Sequence, residues 1–144
     1  MKRTWIATAA LVSLVPFANA AGKAEFAPAG DLKWQDVPGM QGVKLAAVHG
    51  DPNKGASHFF AKFAGGFSAP LHHHNANHYA TVVSGTLVLV VDGKEHKLPA
   101  GSFFSFDGKK PHETRCEAGA DCVLAIDARG KWDVVPEKVP AKKK

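Results

Sequence analysis

The chain has few cysteines, no basic surface stripe and no long membrane-spanning run. Its main apolar run, from Trp5 to Val15, is about half of the roughly 20 residues that a spanning helix needs, which excludes a membrane anchor. The two cysteines of the 144-residue chain do not form a C-x-x-C pair. No stripe of basic residues interleaved with aromatics is present, so nucleic acid is not expected as a partner.

The first 20 residues have the order of a secretory signal peptide. Lys2 and Arg3 precede the apolar run, and Ala18-Asn19-Ala20 supplies a small-x-small cleavage site. We predict cleavage after Ala20 and a single domain over residues 21–144, located in the periplasm or secreted. The formal net charge of +5 includes Lys2 and Arg3, which would be removed with the signal peptide. Residues 137–144 are predicted to form a flexible, lysine-rich tail.

The two cysteines lie close together near the end of the predicted domain. Cys116 and Cys122 are separated by Glu-Ala-Gly-Ala-Asp, which is typical of a hairpin loop and would place them opposite each other on paired strands. A disulfide is expected in an oxidising compartment. The alternatives are a thiolate metal ligand and a redox pair.

The pattern of apolar residues predicts an all-β protein. Outside the N-terminal run, no ten-residue segment has helical periodicity. Short runs rich in β-branched and aromatic residues alternate with Gly- and Pro-containing turns, which is typical of a sandwich or barrel. The predicted strands cover residues 32–37, 42–49, 56–64, 79–84, 86–91, 94–98, 102–106, 112–116, 122–127 and 131–135.

Histidine is concentrated in one stretch of the chain. Eight histidines occur in the sequence, and four of them lie between positions 72 and 78. On an extended segment His72 and His74 point to the same face, whereas His73 between them is turned away. His78 follows after Asn75-Ala76-Asn77, a sequence that is typical of a turn. Several imidazoles that converge from neighbouring strands favour a transition metal ion.

Two spaced motifs resemble those of the cupin superfamily. Gly66-x5-His72-x-His74-x3-His78-x6-Gly85 resembles the first cupin motif, and Gly101-x5-Asp107-x-Lys109-x2-His112-x3-Cys116 resembles the second. The chain is similar to small single-domain exported cupins and to the cupin half of ChrR-like anti-sigma factors. The resemblance implies a double-stranded β-helix (jelly-roll) barrel, a homodimer, and one divalent transition metal ion bound by four residues: His72, His74, His78 and His112.

The chain departs from the family pattern at four positions. His78 stands where the first motif has a carboxylate, and an all-imidazole ligand set would leave the charge of the metal ion undiminished and make it more Lewis acidic. Asp107, Lys109 and Cys116 replace the Pro, Gly and Asn of the second motif. The alternative for His78 is an outward side chain, which would leave three histidine ligands.

The resemblance also carries a functional expectation. It implies a metal-dependent, dioxygenase-like oxidoreductase that acts on a small oxygenated molecule; the alternative is a non-catalytic binding or sensor module for a metal or small ligand. The ligand set does not select among Mn, Fe, Ni, Cu and Zn. Tyr79, Phe63 and Phe104 are candidates for the substrate pocket, with packing in the barrel as their alternative role.

Overall fold

A computed structural model describes residues 23–138 of the chain. The predicted signal peptide at 1–20 lies outside the described residues, and so do residues 139–144 of the predicted tail. Within the described range there is one 3-10 turn, Ala29–Asp31, and the remaining regular structure is β. The strands are β1 Gln35–Asp36, β2 Val43–Gly50, β3 Ser57–Phe63, β4 Ser68–His73, β5 His78–Ser84, β6 Thr86–Val91, β7 Lys94–Pro99, β8 Phe103–Phe106, β9 His112–Cys116, β10 Cys122–Ala128 and β11 Val135–Pro136.

The strands form two antiparallel sheets. The larger sheet has the order β1-β2-β3-β10-β5-β8, and the smaller sheet has the order β11-β4-β9-β6-β7. Neighbours in each sheet are mostly distant in sequence, which is the arrangement of a jelly roll rather than of a simple meander. The predicted all-β jelly-roll barrel is therefore confirmed.

The core lies between the two sheets, and on β5, β9 and β10 it follows from alternation of the side chains. Along β5 and β10, buried residues alternate with exposed or half-buried ones. The inward side chains Phe59, Val82 and Leu87 are almost completely buried and pack in one apolar cluster. Each such side chain contributes about 1.5–3 kcal/mol relative to an exposed position.

The hairpin predicted for the two cysteines is wrong. β9 pairs with β4 and β6 in the smaller sheet, whereas β10 pairs with β3 and β5 in the larger one. Both edges of each strand are thus occupied, and residues 117–121 cross between the sheets. Cys116 and Cys122 are joined by a disulfide that links the two sheets.

The Asp-Gly turn was predicted correctly, whereas the bounds of two predicted strands differ from those observed. Asp92 and Gly93 have φ values of 51° and 76°, and they connect β6 to β7 in the hairpin that the Asp-Gly pair predicts. The strand predicted over 32–37 is reduced to β1, and that over 131–135 is replaced by β11.

Between residues 23 and 138, no helix has the length and apolar character needed to cross a bilayer.

Candidate metal centre

Three buried histidines converge on the inner side of the smaller sheet. His72 on β4 and His112 on β9 are register partners, and His74 follows His72 by two residues. One ring nitrogen from each of the three lies within 4.8 Å of the other two. Nitrogen ligands bind zinc at about 2.0–2.1 Å, so donors around one ion lie up to about 4.2 Å apart. The three imidazoles are therefore spaced nearly as one ion requires.

A bulge in β4 aims His72 into the barrel. Ala69 pairs with Thr114 and His72 with His112, so Pro70 and Leu71 on β4 together oppose the single residue Glu113 on β9. Pro70 lies in the bulge, where its missing N–H costs no ladder hydrogen bond. Its carbonyl accepts a hydrogen bond from His72 Nδ1 at 2.7 Å, which sets the orientation of the ring.

The three converging histidines have the same ring tautomer. Besides His72, the Nδ1 atom of His112 contacts the Lys110 carbonyl at 2.9 Å, and that of His74 contacts the Asp133 carbonyl. Because a carbonyl oxygen can only accept a hydrogen bond, each Nδ1 must carry the proton. Nε2 is then left with its lone pair, which is the form in which imidazole binds a metal.

Burial keeps these imidazoles neutral. Desolvation lowers the pKa of His74 to about 3 and that of His112 to about 4, against the opposing effect of their carbonyl hydrogen bonds. It also lowers the pKa of His72 and of His78. Neutral imidazoles with free Nε2 atoms fit a divalent transition metal ion, since no proton has to be displaced at neutral pH.

His78 lies beside the other three but is not part of their close set. It begins β5 in the larger sheet, and its ring centroid is 4.9 Å from that of His74 and 6.4 Å from that of His112. Its side chain is buried, and its Nδ1 lies 3.3 Å from the Ala76 carbonyl. The four-histidine ligand set thus stays a prediction, whereas the three-histidine arrangement is present.

Two aromatic rings stack on imidazole rings of the cluster. Phe106 stacks on His112 with ring centroids 4.3 Å apart, and Trp132 stacks on His74 at 3.9 Å. The edge of Trp132 also meets Phe59 in the core, at 5.1 Å. These contacts restrict the rotation of two of the converging rings.

Trp132 belongs to a segment that crosses the barrel, residues 131–137, here called the C-terminal strap. Its main chain is anchored by hydrogen bonds from Trp132 N to the Pro52 carbonyl at 2.8 Å and from Glu137 N to the Leu71 carbonyl at 2.9 Å. The Asp133 carboxylate accepts hydrogen bonds from the main-chain and side-chain amides of Asn75, the first of them at 2.9 Å. The strap therefore fixes the turn that carries His74.

Neither cupin-like motif contains the strap, so Trp132 and Asp133 were not predicted as part of the site. The only local signal was the weak strand pattern over 131–135, which does not indicate contact with a histidine 58 residues earlier. His73 was correctly expected to face away from the cluster; its Nδ1 lies 2.6 Å from the Glu137 carboxylate on the strap. The remaining histidines are exposed at the surface: His49, His58 and His96.

A cavity of about 710 Å³ opens above the histidines. Phe63 and Phe104, two of the predicted pocket residues, line it together with His72, His74, His78 and His112. The assignment of Tyr79 to this pocket is corrected. Strand alternation turns Tyr79 to the outer face of β5, where it is 41% exposed and lies 5.2 Å from the Arg129 guanidinium.

Comparison with known proteins agrees with this architecture. A family model described as "Cupin domain" matches residues 59–127. No curated protein sequence matches the chain. The match ends before the C-terminal strap, so Trp132 and Asp133 lie outside the part that the family model covers.

Several solved structures share the fold. The polyketide cyclase RemF from Streptomyces resistomycificus superposes with a TM-score of 0.69 at 18% identity, covering 83% of this chain and 89% of that one. KdgF from Halomonas sp. has a TM-score of 0.61 at 20% identity, with 74% and 94% covered. The Rhodobacter sphaeroides complex of SigE with the anti-sigma ChrR matches at 0.56 and 24% identity, with 71% and 51% covered. At these identities the likeness concerns the fold alone.

Proposed function

The chain belongs to the cupin superfamily, and from that premise we propose that it is an exported, metal-dependent oxidoreductase of the dioxygenase type, acting on a small oxygenated molecule. One observation carries the proposal. Three buried histidines of the same tautomer converge within 4.8 Å of one another at the base of a cavity large enough for a substrate.

Each part of the site has a task in this proposal. His72, His74 and His112 would hold the ion, with His78 as the fourth ligand. The chemistry that a bound Mn, Fe, Ni, Cu or Zn ion would supply is polarisation of a substrate oxygen and, for a redox-active ion, O₂ chemistry. The cavity walls bind the body of the substrate and exclude bulk water, which strengthens electrostatic interactions inside the barrel.

Export is supported by two independent features. The first 20 residues have the composition and order of a signal peptide. The disulfide between Cys116 and Cys122 is a bond that persists in oxidising compartments. The intact mass of protein taken from the periplasm should correspond to a chain that begins at Ala21, and a mass that includes residues 1–20 would refute export with cleavage.

A second function, a non-catalytic binding or sensor module, is favoured by the side chains of the cavity. Among its described lining residues there is no Glu, Lys, Tyr or Cys, and the one carboxylate, Asp133, is held by Asn75. Apart from the imidazoles, no group is thus placed for proton transfer. A module that only binds a metal or small ligand needs none.

The first experiment is elemental analysis of protein matured in the periplasm, with His72→Ala and His112→Ala beside the unchanged protein. We expect about one equivalent of a transition metal, lost in both variants. His96→Ala is the matched control, because His96 is exposed and outside the cluster. Absence of metal after reconstitution with Mn, Fe, Ni, Cu and Zn would refute the metal centre.

The second experiment separates the enzyme from the binding module. O₂ uptake is measured for the Fe, Mn, Cu and Ni forms with β-diketones, flavonols and catechol-like compounds. Uptake that depends on His112 supports the oxidoreductase, whereas inactivity of every form leaves the binding module. The homodimer stays a prediction, and sedimentation velocity would test it.

A further inference from the structure

We infer that the ligand of the cavity is a mainly apolar molecule built on a ring system, with an oxygen donor only at the end that meets the histidines and no charged group on the rest of its body. This inference rests on the proposed function for the position of the oxygen donor. The apolar and uncharged character follows from the cavity walls and holds whether or not the site is catalytic.

The interior walls are mainly hydrocarbon, and Thr114 is the one buried hydroxyl side chain among the described lining residues. Val43, Leu87 and Leu124 line the cavity and are at most 3% exposed, and Phe63 and Phe104 add aromatic faces. These side chains offer no hydrogen bond, so a sugar or another polyhydroxylated ligand would lose its hydration there without compensation. An apolar ring system, in contrast, gains about 25 cal/mol for each Å² removed from water.

A charged group on the body of the ligand, away from the histidines, lacks a partner on these walls. No lysine or arginine is present among the described residues that line the cavity. Lys110, which the sequence places near the second motif, instead pairs with Asp92 on the surface at 2.7 Å. The carboxylate of Asp133 would repel an anion, and its hydrogen bonds to Asn75 leave it less available to a cation. A charged group on the ligand body would therefore be buried unpaired.

Polar groups lie mainly at the two ends of the cavity. Four imidazoles form the inner end, whereas Gln41 and Asn53 are exposed lining residues and belong to the mouth. The mouth also includes Met40 in the turn before β2 and Val134 on the strap. A ligand that fits this distribution directs its oxygen donor toward the histidines and places its ring against the apolar walls.

The volume sets the size of the ligand. At about 30 Å³ per water molecule in the liquid, a cavity of about 710 Å³ has room for roughly 24 waters. A molecule of several fused rings fits within this space. A molecule with a single small ring would leave apolar wall uncovered and bind correspondingly less tightly.

Equilibrium dialysis with three probes tests the inference: 2-naphthol, 6-hydroxynaphthalene-2-sulfonate and glucose. The first two share the ring system and the hydroxyl group and differ in one remote charge. Zinc-loaded protein is used, because zinc has no redox chemistry and binding is then separate from turnover; metal-free protein is measured alongside. We expect 2-naphthol to bind at least about tenfold more tightly than the sulfonate, and glucose not to bind.

A charge introduced at the mouth locates the binding site. Met40 is half-buried on a turn, so Met40→Lys places a cation beside the cavity without disturbing the core. It should tighten binding of the sulfonate and weaken binding of 2-naphthol, while the control variant Gln35→Lys, which adds the same charge at an exposed position of β1 outside the cavity, leaves both unchanged. Equal binding of both probes by the unchanged protein, or no response to Met40→Lys, would overturn the inference.

The outcomes also separate this inference from the proposed function. Binding of 2-naphthol together with no O₂ uptake by any metal form would reject the oxidoreductase and retain the ligand class. Turnover of a charged or sugar-like substrate, with no binding of 2-naphthol in either the zinc-loaded or the metal-free form, would retain the oxidoreductase and reject the ligand class.

Discussion

Trp132 stacks on His74 with ring centroids 3.9 Å apart and ring planes inclined by only 20°. The two residues are far apart in the chain, and only one of them belongs to a cupin-like motif. The next residue, Asp133, accepts the Nδ1 hydrogen bond of His74 through its carbonyl. One short segment thus sets both the plane and the tautomer of a candidate metal ligand.

Replacing Trp132 is expected to weaken metal binding. In Trp132→Leu the His74 ring loses the indole ring that stacks on it and rotates more freely in the metal-free protein. Metal binding then costs more rotational freedom of this ring, and we expect an affinity for the metal ion about tenfold lower. Competition with a chromophoric chelator measures it. Trp34→Leu is the control, because Trp34 packs under Lys62 at 4.3 Å and does not line the cavity. An equal effect of both substitutions would contradict the role of Trp132.

The Asp133 side chain is expected to act on the metal site through Asn75. Asp133→Ala removes the acceptor of two Asn75 amides, which loosens the strap and the carbonyl bonded to His74. We expect metal affinity to fall about tenfold, and Asp133→Asn to recover part of it because one acceptor oxygen remains. Asp36→Ala, at an exposed position on β1, should have no effect. Unchanged affinity in Asp133→Ala would exclude this coupling.

The metal-free protein is expected to lose stability as the pH falls below about 6.5. The folded-state pKa of His74 is about 3 and that of His112 about 4, whereas unfolded histidine titrates at about 6.5. Between these values the unfolded chain binds protons that the folded chain does not bind. The free energy of unfolding therefore decreases as the pH decreases. The slope is up to about 1.4 kcal/mol per pH unit for each histidine.

Urea unfolding of metal-free protein between pH 7 and pH 4 measures this slope. His112→Asn should reduce the slope by the amount that corresponds to about one proton taken up on unfolding. His96→Asn, at an exposed position, should leave the slope unchanged. A free energy of unfolding that stayed constant over this range would mean that the buried imidazoles accept protons in the folded state.

The disulfide is expected to stabilise the protein modestly. It closes a loop with a sequence separation of only 6, for which chain entropy predicts about 2 kcal/mol. Cys116→Ala combined with Cys122→Ala should lower the free energy of unfolding by this amount, measured in urea. Reduced unchanged protein should unfold like the double variant. No difference between oxidised and reduced protein would contradict a bridge between the sheets.

Lys109 is expected to be a strained position. It has φ of 66°, in the left-handed region, at the point where the second cupin motif has glycine. Its main-chain N donates to the His74 carbonyl at 2.7 Å, so the conformation is fixed by the site. Lys109→Gly should raise the free energy of unfolding by up to about 1 kcal/mol. Lys109→Ala keeps the strain and should not; a gain in both variants would point to the lysine charge instead.

Local patterns in the sequence determined the fold class and two of the three converging histidines. Period-2 alternation and Gly- or Pro-containing turns depend on neighbouring residues, so most strands were found within a residue or two. The spacing of His72 and His74 places both on one face of a strand for the same reason. His112 was found only through the motif resemblance, because its partner strand is not local.

Tertiary structure alone decided which strands are paired and what surrounds the histidines. Cys116 and Cys122 were predicted in a hairpin, yet their strands belong to different sheets, since pairing depends on which edges remain free in the assembled barrel. His78 comes from the larger sheet, so its distance from the other histidines depends on how the sheets pack. Trp132 reaches His74 only because the strap crosses the barrel. Long-range contacts of this kind leave no periodic signal in the sequence, whereas the histidine spacing and the strand pattern do.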